Sequence, residues 1–404
     1  MSNSTLLLIL LFLYSFFGTA LTVLDQYLVQ ENFSHSWFLN LIMFLAEILA
    51  LPIYYLMSYF RKKKQKKESE IEQENSEEQV EIKLTMRQKF LLIIPCLFDA
   101  VANFIIDICL YYFPTILYMM LKGILLNIIT CLISRFILKN RHTWDHYFAI
   151  VIALIGFIFS GLSGYYGPQP DKKEDGDYEI KDIILGIITA LISVILQSSQ
   201  FSFEEHYMRK YSVHPFICIG IEGIFGFILN LILCIIFYYV KCSGDEDNFF
   251  QNFCTQDDNG NWRMENVIYA FKQFENSTIL ILIIFLFLIL IFYNIFGISI
   301  NKYGGALTLS LIENFKSFLS WIFFLIPLNN ENLRETFNIL RFVGLIFFSA
   351  SIFIYFGCFK IEEKIMIRRK MKALAYMDDL NDGINSPSKN DLNYNPDDLN
   401  NSEE

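Results

Sequence analysis

Two lysines lie inside apolar stretches of this sequence, where a charged side chain is costly. Lys122 and Lys316 each sit well within a run long enough to cross a bilayer. An ammonium at that depth normally faces a polar cavity or a counter-charge, and it marks a substrate or ion path. In a low-dielectric cavity it suits the phosphate or carboxylate group of a ligand. The two lysines therefore predict an anion-binding site inside a transporter.

Lys316 shares its apolar stretch with three other polar residues. Thr308, Glu313 and Lys316 fall broadly on one helical face, and Asn314 lies toward the edge of that face. A carboxylate beside the lysine could hold the ammonium when the site is empty, or it could carry a coupling proton. We therefore predict that these four residues contribute to substrate binding together with Lys122.

Asp99, Asn103 and Asp107 form a second polar group. They are spaced four residues apart, so they follow one side of a helix that should not face lipid. If the chain makes a tight hairpin at Pro114, Asp107 and Lys122 reach similar depths and could pair. Such a pair would be either a structural salt bridge or part of the transport path, since buried pairs are not reliable sources of stability. We predict that the three residues line the cavity.

Glu204 and Glu205 lie at the predicted cytoplasmic end of the sixth apolar run. Two interpretations remain open for them: solvated polarity at the membrane interface, or a cytoplasmic gate. Cys242 and Cys254 fall in a loop that the topology places on the opposite side, where a disulfide is permitted. The other cysteines mostly lie within spans, where small apolar packing residues are expected.

The composition indicates an integral membrane protein. Of 404 residues, 54% are hydrophobic and 18% are charged, which is too apolar for a soluble domain of this length. Helices of about 20 apolar residues cross a bilayer core. Ten runs of this kind occur, near 5–24, 37–60, 90–113, 115–135, 145–163, 182–203, 216–240, 278–299, 306–327 and 338–358.

The charge distribution predicts the topology. With a cytoplasmic N-terminus, 22 lysines and arginines fall on the cytoplasmic side and eight on the other. Both termini are therefore predicted to be cytoplasmic, and the first run is predicted to be a retained helix. Ten spans divide as five plus five, and five is odd, so the halves form an inverted repeat of the kind found in alternating-access carriers. The fold class is an all-α membrane protein with ten transmembrane helices.

This topology divides the chain into four parts. Residues 1–163 form the first five-helix repeat, with a charged cytoplasmic loop at 61–89, and residues 182–358 form the second, with a lumenal loop at 241–277. An acidic linker, 164–181, joins the repeats. Residues 359–404 form an acidic cytoplasmic tail that is predicted to be largely disordered because its apolar content is low.

Other functional classes leave no signature. The chain has no G-x-x-x-x-G-K-[ST] phosphate loop, dinucleotide fingerprint or hydrolase motif, so we predict neither an enzyme nor an ATP-driven pump. We predict no cofactor and no metal, although His142 and His146 have metal-compatible spacing. The expected partners are membrane lipid and a small-molecule solute, without nucleic acid, in a monomer or a homodimer.

Several short motifs resemble those of a known family. Read in order, they resemble subfamily F of solute carrier family 35, with the pattern of its sixth-member type, within the drug/metabolite transporter superfamily of paired EamA-like repeats. The motifs are PCLFD at 95–99, MLKG at 120–123, Glu204 and Glu205 followed by VHP at 213–215, EGIFGF at 222–227, and FGIS at 296–299.

The resemblance implies ten helices, inverted five-helix repeats and a central solute cavity. In nucleotide-sugar relatives, lysines of the fourth and ninth helices contact phosphates, and the matching positions here are Lys122 and Lys316. Relatives that recognise nucleotides carry a G-A-L-N-K box where this chain has IENFK at 312–316.

The leading hypothesis is a secondary transporter of an organic, anionic solute of the nucleotide-sugar or related metabolite class, acting by alternating access in an endomembrane, lysosomal or Golgi. One alternative is a non-transporting scaffold that retains a carrier fold. Another is a proton-coupled exporter of cationic compounds, which the excess of intramembrane acids favours.

Overall fold

The structure, a computed structural model, describes most of the predicted membrane region. The side chain of Asp107, although its backbone is helical, lies outside the described part, as do the side chains of several other residues near helix ends. The described residues are 3–33, 35–69, 84–112, 115–140, 142–166, 180–242, 254–256, 260, 262–326 and 337–357.

The described chain is almost entirely helical. Its thirteen helices are α1 (Asn3–Gln30), α2 (Ser36–Ile48), α3 (Ala50–Ser69), α4 (Met86–Phe90), α5 (Ile93–Tyr112), α6 (Thr115–Phe136), α7 (Trp144–Tyr166), α8 (Ile180–Lys210), α9 (Pro215–Tyr239), α10 (Val267–Gln273), α11 (Ser277–Gly304), α12 (Ala306–Leu325) and α13 (Ile339–Tyr355).

Each of the ten predicted runs contains helix, but fewer helices qualify as spans by length and hydropathy. Seven described helical segments are long and apolar enough to cross a membrane, and α13 is apolar but shorter. Of the rest, α6 carries Lys122 and Arg135, and α12 carries Glu313 and Lys316. The chain is thus an all-helical, multi-pass membrane protein, while the ten-span inverted repeat stays a prediction.

Two helix boundaries have clear local causes. The span expected over 37–60 is present as one candidate span, Ser36–Lys63, with a single interruption where α2 ends at Ile48 and α3 begins at Ala50, just before Pro52. Proline cannot donate the backbone hydrogen bond of a helix interior but is tolerated in a first turn. Between α11 and α12, Gly305 adopts φ +89°, a conformation that favours glycine, and the chain turns there without a loop.

The long helices pack in pairs that are distant in sequence. The principal pairs are α1 with α11, α2 with α9, α5 with α8, and α7 with α13. Glycines allow the closest approaches: a Cβ at Gly156 would lie 2.8 Å from the Gly344 carbonyl oxygen, and one at Gly223 would lie 2.7 Å from Cβ of Glu47. Small residues at helix interfaces permit this backbone proximity.

Helix α12 lies in the interior of the bundle. It contacts α1, α6, α8, α11 and α13, and its nine residues from Ala306 to Asn314 are all buried. A helix that is surrounded by protein buries every face, including its polar positions. The polar residues of α12 are thereby held among side chains of several other helices.

The predicted lumenal loop is partly ordered. Two short antiparallel strands, β1 (Thr255–Gln256) and β2 (Trp262–Arg263), precede α10, and the sequence did not predict them. A disulfide joins Cys242 to Cys254. The Arg263 guanidinium donates to the Tyr238 carbonyl oxygen at 2.9 Å and stacks 4.1 Å from the Tyr238 ring centroid. These contacts tie the hairpin to the end of α9.

The predicted domain boundaries are only partly covered. Helix α7 extends to Tyr166 and α8 begins at Ile180, so both ends of the predicted linker 164–181 are helical. The rest of that linker, residues 70–83 of the charged loop and the tail from 358 onward lie outside the described residues. The division into repeats therefore remains a prediction.

Candidate functional site

The centre of the candidate site is the carboxylate of Glu313 on α12. Its Oε1 lies 2.6 Å from Nζ of Lys316, one helical turn further along. Nζ of Lys122, on α6, lies 3.9 Å from the same oxygen. The two lysines that the sequence singled out therefore meet at one carboxylate, which only the packing of α6 against α12 could bring about.

Two tyrosines complete the shell around Glu313. The Tyr14 hydroxyl donates to Glu313 Oε2 at 2.5 Å, and the Tyr293 hydroxyl donates to the same oxygen at 2.7 Å. Lys316 Nζ in turn donates to the Tyr293 hydroxyl at 2.7 Å. The two rings stack with centroids 4.5 Å apart. This shell fixes the carboxylate and Lys316 in one geometry.

The first helix approaches closely at a glycine. A Cβ at Gly18 would lie 3.0 Å from the Tyr293 ring and 3.1 Å from the Lys316 side chain. Asp25, two turns further along α1, interacts electrostatically with Lys316. Tyr14, Gly18 and Asp25 thus bring α1 into the site, although the sequence analysis assigned no role to this helix.

The ion pairs of the site are unequal. Within ion-pair distance two ammonium groups share the Glu313 carboxylate, while Asp25 and Asp99 interact with Lys316 and Lys122 electrostatically without a direct ion pair in the described part of the chain. The Lys122 side chain is 15% exposed and that of Lys316 is 20% exposed. Among the described residues, the Lys122 ammonium has the Glu313 ion pair but no hydrogen bond at normal distance. A partly accessible cation with unused donors is suited to an anionic ligand.

Asp99 and Asn103 lie beside this centre. Asn103 Nδ2 donates to Asp99 Oδ1 at a long 3.4 Å, and Asp99 interacts electrostatically with Lys122. Asp99 is therefore the described acid of the α5 stripe that faces Lys122. The predicted pairing of Asp107 with Lys122 lies outside the described side chains.

Thr308 and Asn314 make contacts that lead away from Glu313. The Thr308 hydroxyl donates to the Gly304 carbonyl oxygen at 2.6 Å and lies 2.9 Å from the Tyr355 hydroxyl of α13. Asn314 Nδ2 donates to the Ser310 carbonyl oxygen at 2.9 Å. Both side chains hydrogen-bond within α12 or to its neighbours α11 and α13. No hydrogen bond among the described residues joins them to Glu313 or the lysines, so their role in substrate binding stays a prediction.

Glu204 and Glu205 are not solvated, so that interpretation was wrong. The two side chains are 3% and 1% exposed. Glu204 accepts a hydrogen bond from Asn301 Nδ2 at 2.9 Å. Glu205 accepts one from the Ala306 backbone N–H at 2.7 Å and pairs with Arg209 at 2.9 Å. Both carboxylates at the end of α8 thus contact the turn between α11 and α12, and a helix N-terminus attracts a carboxylate.

Loss of the Glu205 carboxylate is expected to destabilise this end of the bundle. Glu205→Ala removes the acceptor at the start of α12, and losses of helix N-cap acceptors cost about 0.5–2 kcal/mol. The matched change is Arg209→Ala, which removes the ion pair of Glu205 but leaves its carboxylate to accept from the Ala306 backbone N–H. Thermal unfolding of the purified variants should show the larger loss for Glu205→Ala. Equal losses of stability would mean that Glu205 stabilises this end of the bundle through its ion pair with Arg209 and not through the Ala306 N–H.

Curated relatives of this chain in two mammals carry the same name, at 22–26% sequence identity. No protein-family model matches the chain. It is 26% identical over 300 residues to "Solute carrier family 35 member F6" of Rattus norvegicus, covering 73% of this chain and 72% of that protein. The Homo sapiens protein of the same name is 22% identical over 296 residues, covering 72% and 71%.

Two further comparisons agree with these. An uncharacterised protein of Schizosaccharomyces pombe is 25% identical over 281 residues, covering 69% of this chain and 77% of that protein. A solved crystal structure superposes with a TM-score of 0.52 at 11% identity, covering 88% of this chain and 98% of that one. The structural likeness concerns the fold alone, and the named relatives indicate a solute transporter rather than an enzyme.

Proposed function

We propose that this chain, which belongs to subfamily F of solute carrier family 35, is a secondary carrier of a small organic anion. The observation that carries the proposal is the convergence of Lys122 and Lys316 on the one carboxylate of Glu313. Charged residues inside a membrane bundle mark substrate or ion paths. The solute class that fits best is a nucleotide sugar or a related phosphate- or carboxylate-bearing metabolite.

In this proposal Glu313 serves as the resident counter-ion of the empty site. An incoming anion competes with Glu313 for Lys122, whose ammonium lies 3.9 Å from Glu313 Oε1 and has no hydrogen bond to the described side chains. Lys316 stays bound to Glu313 and Tyr293 at hydrogen-bond distance. The solute therefore binds the Lys122 ammonium first. The positive charge of Lys316 attracts the same negative ligand electrostatically. Asp99 and Asn103 lie beside Lys122 in this proposal, and Asp107 stays a predicted member of the same polar stripe.

Alternating access and the endomembrane location are parts of the same proposal. Two inverted five-helix repeats would rock around the Glu313 centre, as in other carriers with midplane sites. The Glu204 and Glu205 contacts with the α11–α12 turn would close the cytoplasmic end. The proposed membrane is lysosomal or Golgi, with both termini cytoplasmic and with a monomer or homodimer as the working unit.

A ligand screen tests the anion-carrier proposal. The purified full-length protein in detergent is heated with nucleotides, nucleotide sugars, organic acids or cationic drugs. A bound ligand stabilises the folded state by mass action, by about 2.7 kcal/mol at 100 times its Kd. We expect an anion to raise the melting temperature by a few degrees in the wild type, and to lose that effect in Lys122→Gln.

The matched control is Lys63→Gln, because Lys63 is exposed at the end of α3. This variant should keep the full response to the anion. A hit is then tested for uptake into proteoliposomes, which should fail with Lys122→Gln. Stabilisation by cationic drugs alone, or by anions equally in both lysine variants, would contradict the proposal.

A further inference from the structure

Four acidic side chains from different helices lie together beside the lysine site. Glu47 of α2 is within electrostatic range of Asp99 and Glu204, and Glu222 of α9 is within range of all three. Glu47 reaches α9 where Gly223 allows close approach. Glu47, Glu204 and Glu222 are 5%, 3% and 1% exposed. Glu47, Asp99, Glu204 and Glu222 are called the acid cluster below.

The acid cluster is surrounded by acceptors that lack donors. Oε2 of Glu47 and Oε2 of Glu222 are buried without a hydrogen-bond partner in the described part of the chain. Asn301 donates to Glu204, yet its own Oδ1 is unpaired, and so is Oε1 of Gln200. An unsatisfied buried acceptor is costly. An ionised carboxylate only accepts, whereas a protonated carboxyl also donates.

The lysines do not neutralise the acid cluster. Lys122 interacts electrostatically with Asp99, but its ion pair is with Glu313. Lys302 of α11 donates to the Val213 carbonyl oxygen at 2.6 Å. Neither ammonium forms an ion pair with Glu47, Glu204 or Glu222 within the described ranges. Buried like charges within electrostatic range of one another disfavour simultaneous ionisation.

Three other titratable groups face the acid cluster. They are Glu313 of α12, which faces Asp99, Cys96 of α5, which faces Glu222, Asp99 and Glu47, and Cys218 of α9, which faces Glu222, Glu204, Lys302 and Glu47. Helix α3, which also packs on α9, adds no charged group to this set among its described residues. No His, Cys, Asp and Glu side chains of the described chain are arranged as three or more ligands of one metal ion.

We infer that the acid cluster is a proton-binding site that adjoins the lysine site at Asp99, and in which protons shared among Glu47, Glu204, Glu222 and Asp99 replace the missing counter-charge. Each bound proton turns a carboxyl into a donor for one of the unpaired oxygens. The protons come from water and return to it, so no other reactant is needed.

The position of the site gives these protons a role in the carrier. Glu47 lies in the second predicted span and Glu222 in the seventh, which an inverted repeat makes equivalent, and α2 packs directly on α9. A relative movement of the two repeats would change the distance between the Glu47 and Glu222 carboxyls. The number of protons that the acid cluster binds would change with it. The acid cluster is then the coupling-ion site, a consequence that rests on the proposed function, whereas proton binding itself does not.

Infrared spectroscopy of the full-length protein in detergent tests proton binding without any solute. Protonated carboxyl groups give a C=O absorption separate from that of carboxylates. At neutral pH the wild type should show this absorption, and Glu47→Gln and Glu222→Gln should each lose a substantial part of it. Glutamine keeps the shape and supplies an N–H donor, so both variants should fold. The exposed Glu275→Gln is the matched control and should leave the absorption unchanged.

Two results would overturn the inference. One is a wild type with no protonated carboxyl at neutral pH, or with an absorption that neither variant changes. The other is a wild type whose melting temperature rises in sodium chloride relative to choline chloride, with the rise lost in Glu222→Gln, because a metal ion would then occupy the site. Since no solute enters the measurement, failure of the carrier proposal leaves the infrared result intact.

Discussion

Glu313→Gln is expected to lower the free energy of unfolding by about 3–5 kcal/mol, the cost of removing one partner of a buried ion pair. The carboxylate is 5% exposed and binds Lys316 at 2.6 Å. It also accepts hydrogen bonds from Tyr14 and Tyr293. The glutamine leaves the ammonium groups of Lys122 and Lys316 without the carboxylate that both of them pair with. Thermal or denaturant unfolding of the purified variant measures the loss.

A double-mutant cycle separates the ion pair from general packing. Glu313→Gln combined with Lys316→Gln removes both charges and should recover part of the stability that the single change loses. The coupling energy between contacting charges is expected to be about 0.5–3 kcal/mol. Glu275→Gln, on an exposed residue near the end of α10, should change stability little. A Glu313→Gln variant as stable as the wild type would contradict this account of the site.

The second large effect is expected at Glu265, far from the lysine site. This carboxylate is 1% exposed and lies 2.7 Å from Nδ1 of His35. It accepts from the backbone N–H groups of Trp37 at 3.1 Å and Asn266 at 2.9 Å. It thereby joins the N-terminus of α2 to the segment before α10. Glu265→Ala should cost about 3–5 kcal/mol, because it leaves a buried partner and helix donors unsatisfied.

The consequence of Glu265→Ala should be local as well as global. Hydrogen exchange is expected to speed up first in the opening turn of α2 and in α10, since both depend on this carboxylate. Glu275→Ala, only ten positions along the chain, serves as the matched change on an exposed residue. If the two variants have the same melting temperature and the same hydrogen-exchange rates in α2 and α10, Glu265 does not anchor α2.

Part of the candidate site could be predicted from sequence because charge in an apolar run is a local signal. Lys122, Glu313 and Lys316 stand out in this way, and the structure brings them together. Tyr14 and Tyr293 were missed, because a tyrosine within an apolar helix usually packs as an aromatic residue. Their hydroxyl groups were the available signal. A buried tyrosine hydroxyl needs a hydrogen-bond partner, so a tyrosine within an apolar helix indicates a polar group nearby.

Glu204 and Glu205 show the opposite failure. Two acids at the end of an apolar run have the pattern of a solvated interface, and nothing in the neighbouring sequence indicates otherwise. Their burial follows from the α11–α12 turn at Gly305, whose residues lie about one hundred positions away. Contacts over such distances depend on which helices become neighbours, and hydropathy alone carries no information about that.

The sequence by itself determined the apolar helices, the membrane class and the short list of charged residues inside the bundle, because hydropathy and helical spacing are properties of neighbouring residues. The tertiary structure decided which charges meet. It placed both lysines at Glu313 and left Glu47 and Glu222 beside other acids. The reason is physical: in a low-dielectric interior the state of a charge depends on the groups packed around it, and packing joins helices that are distant in sequence.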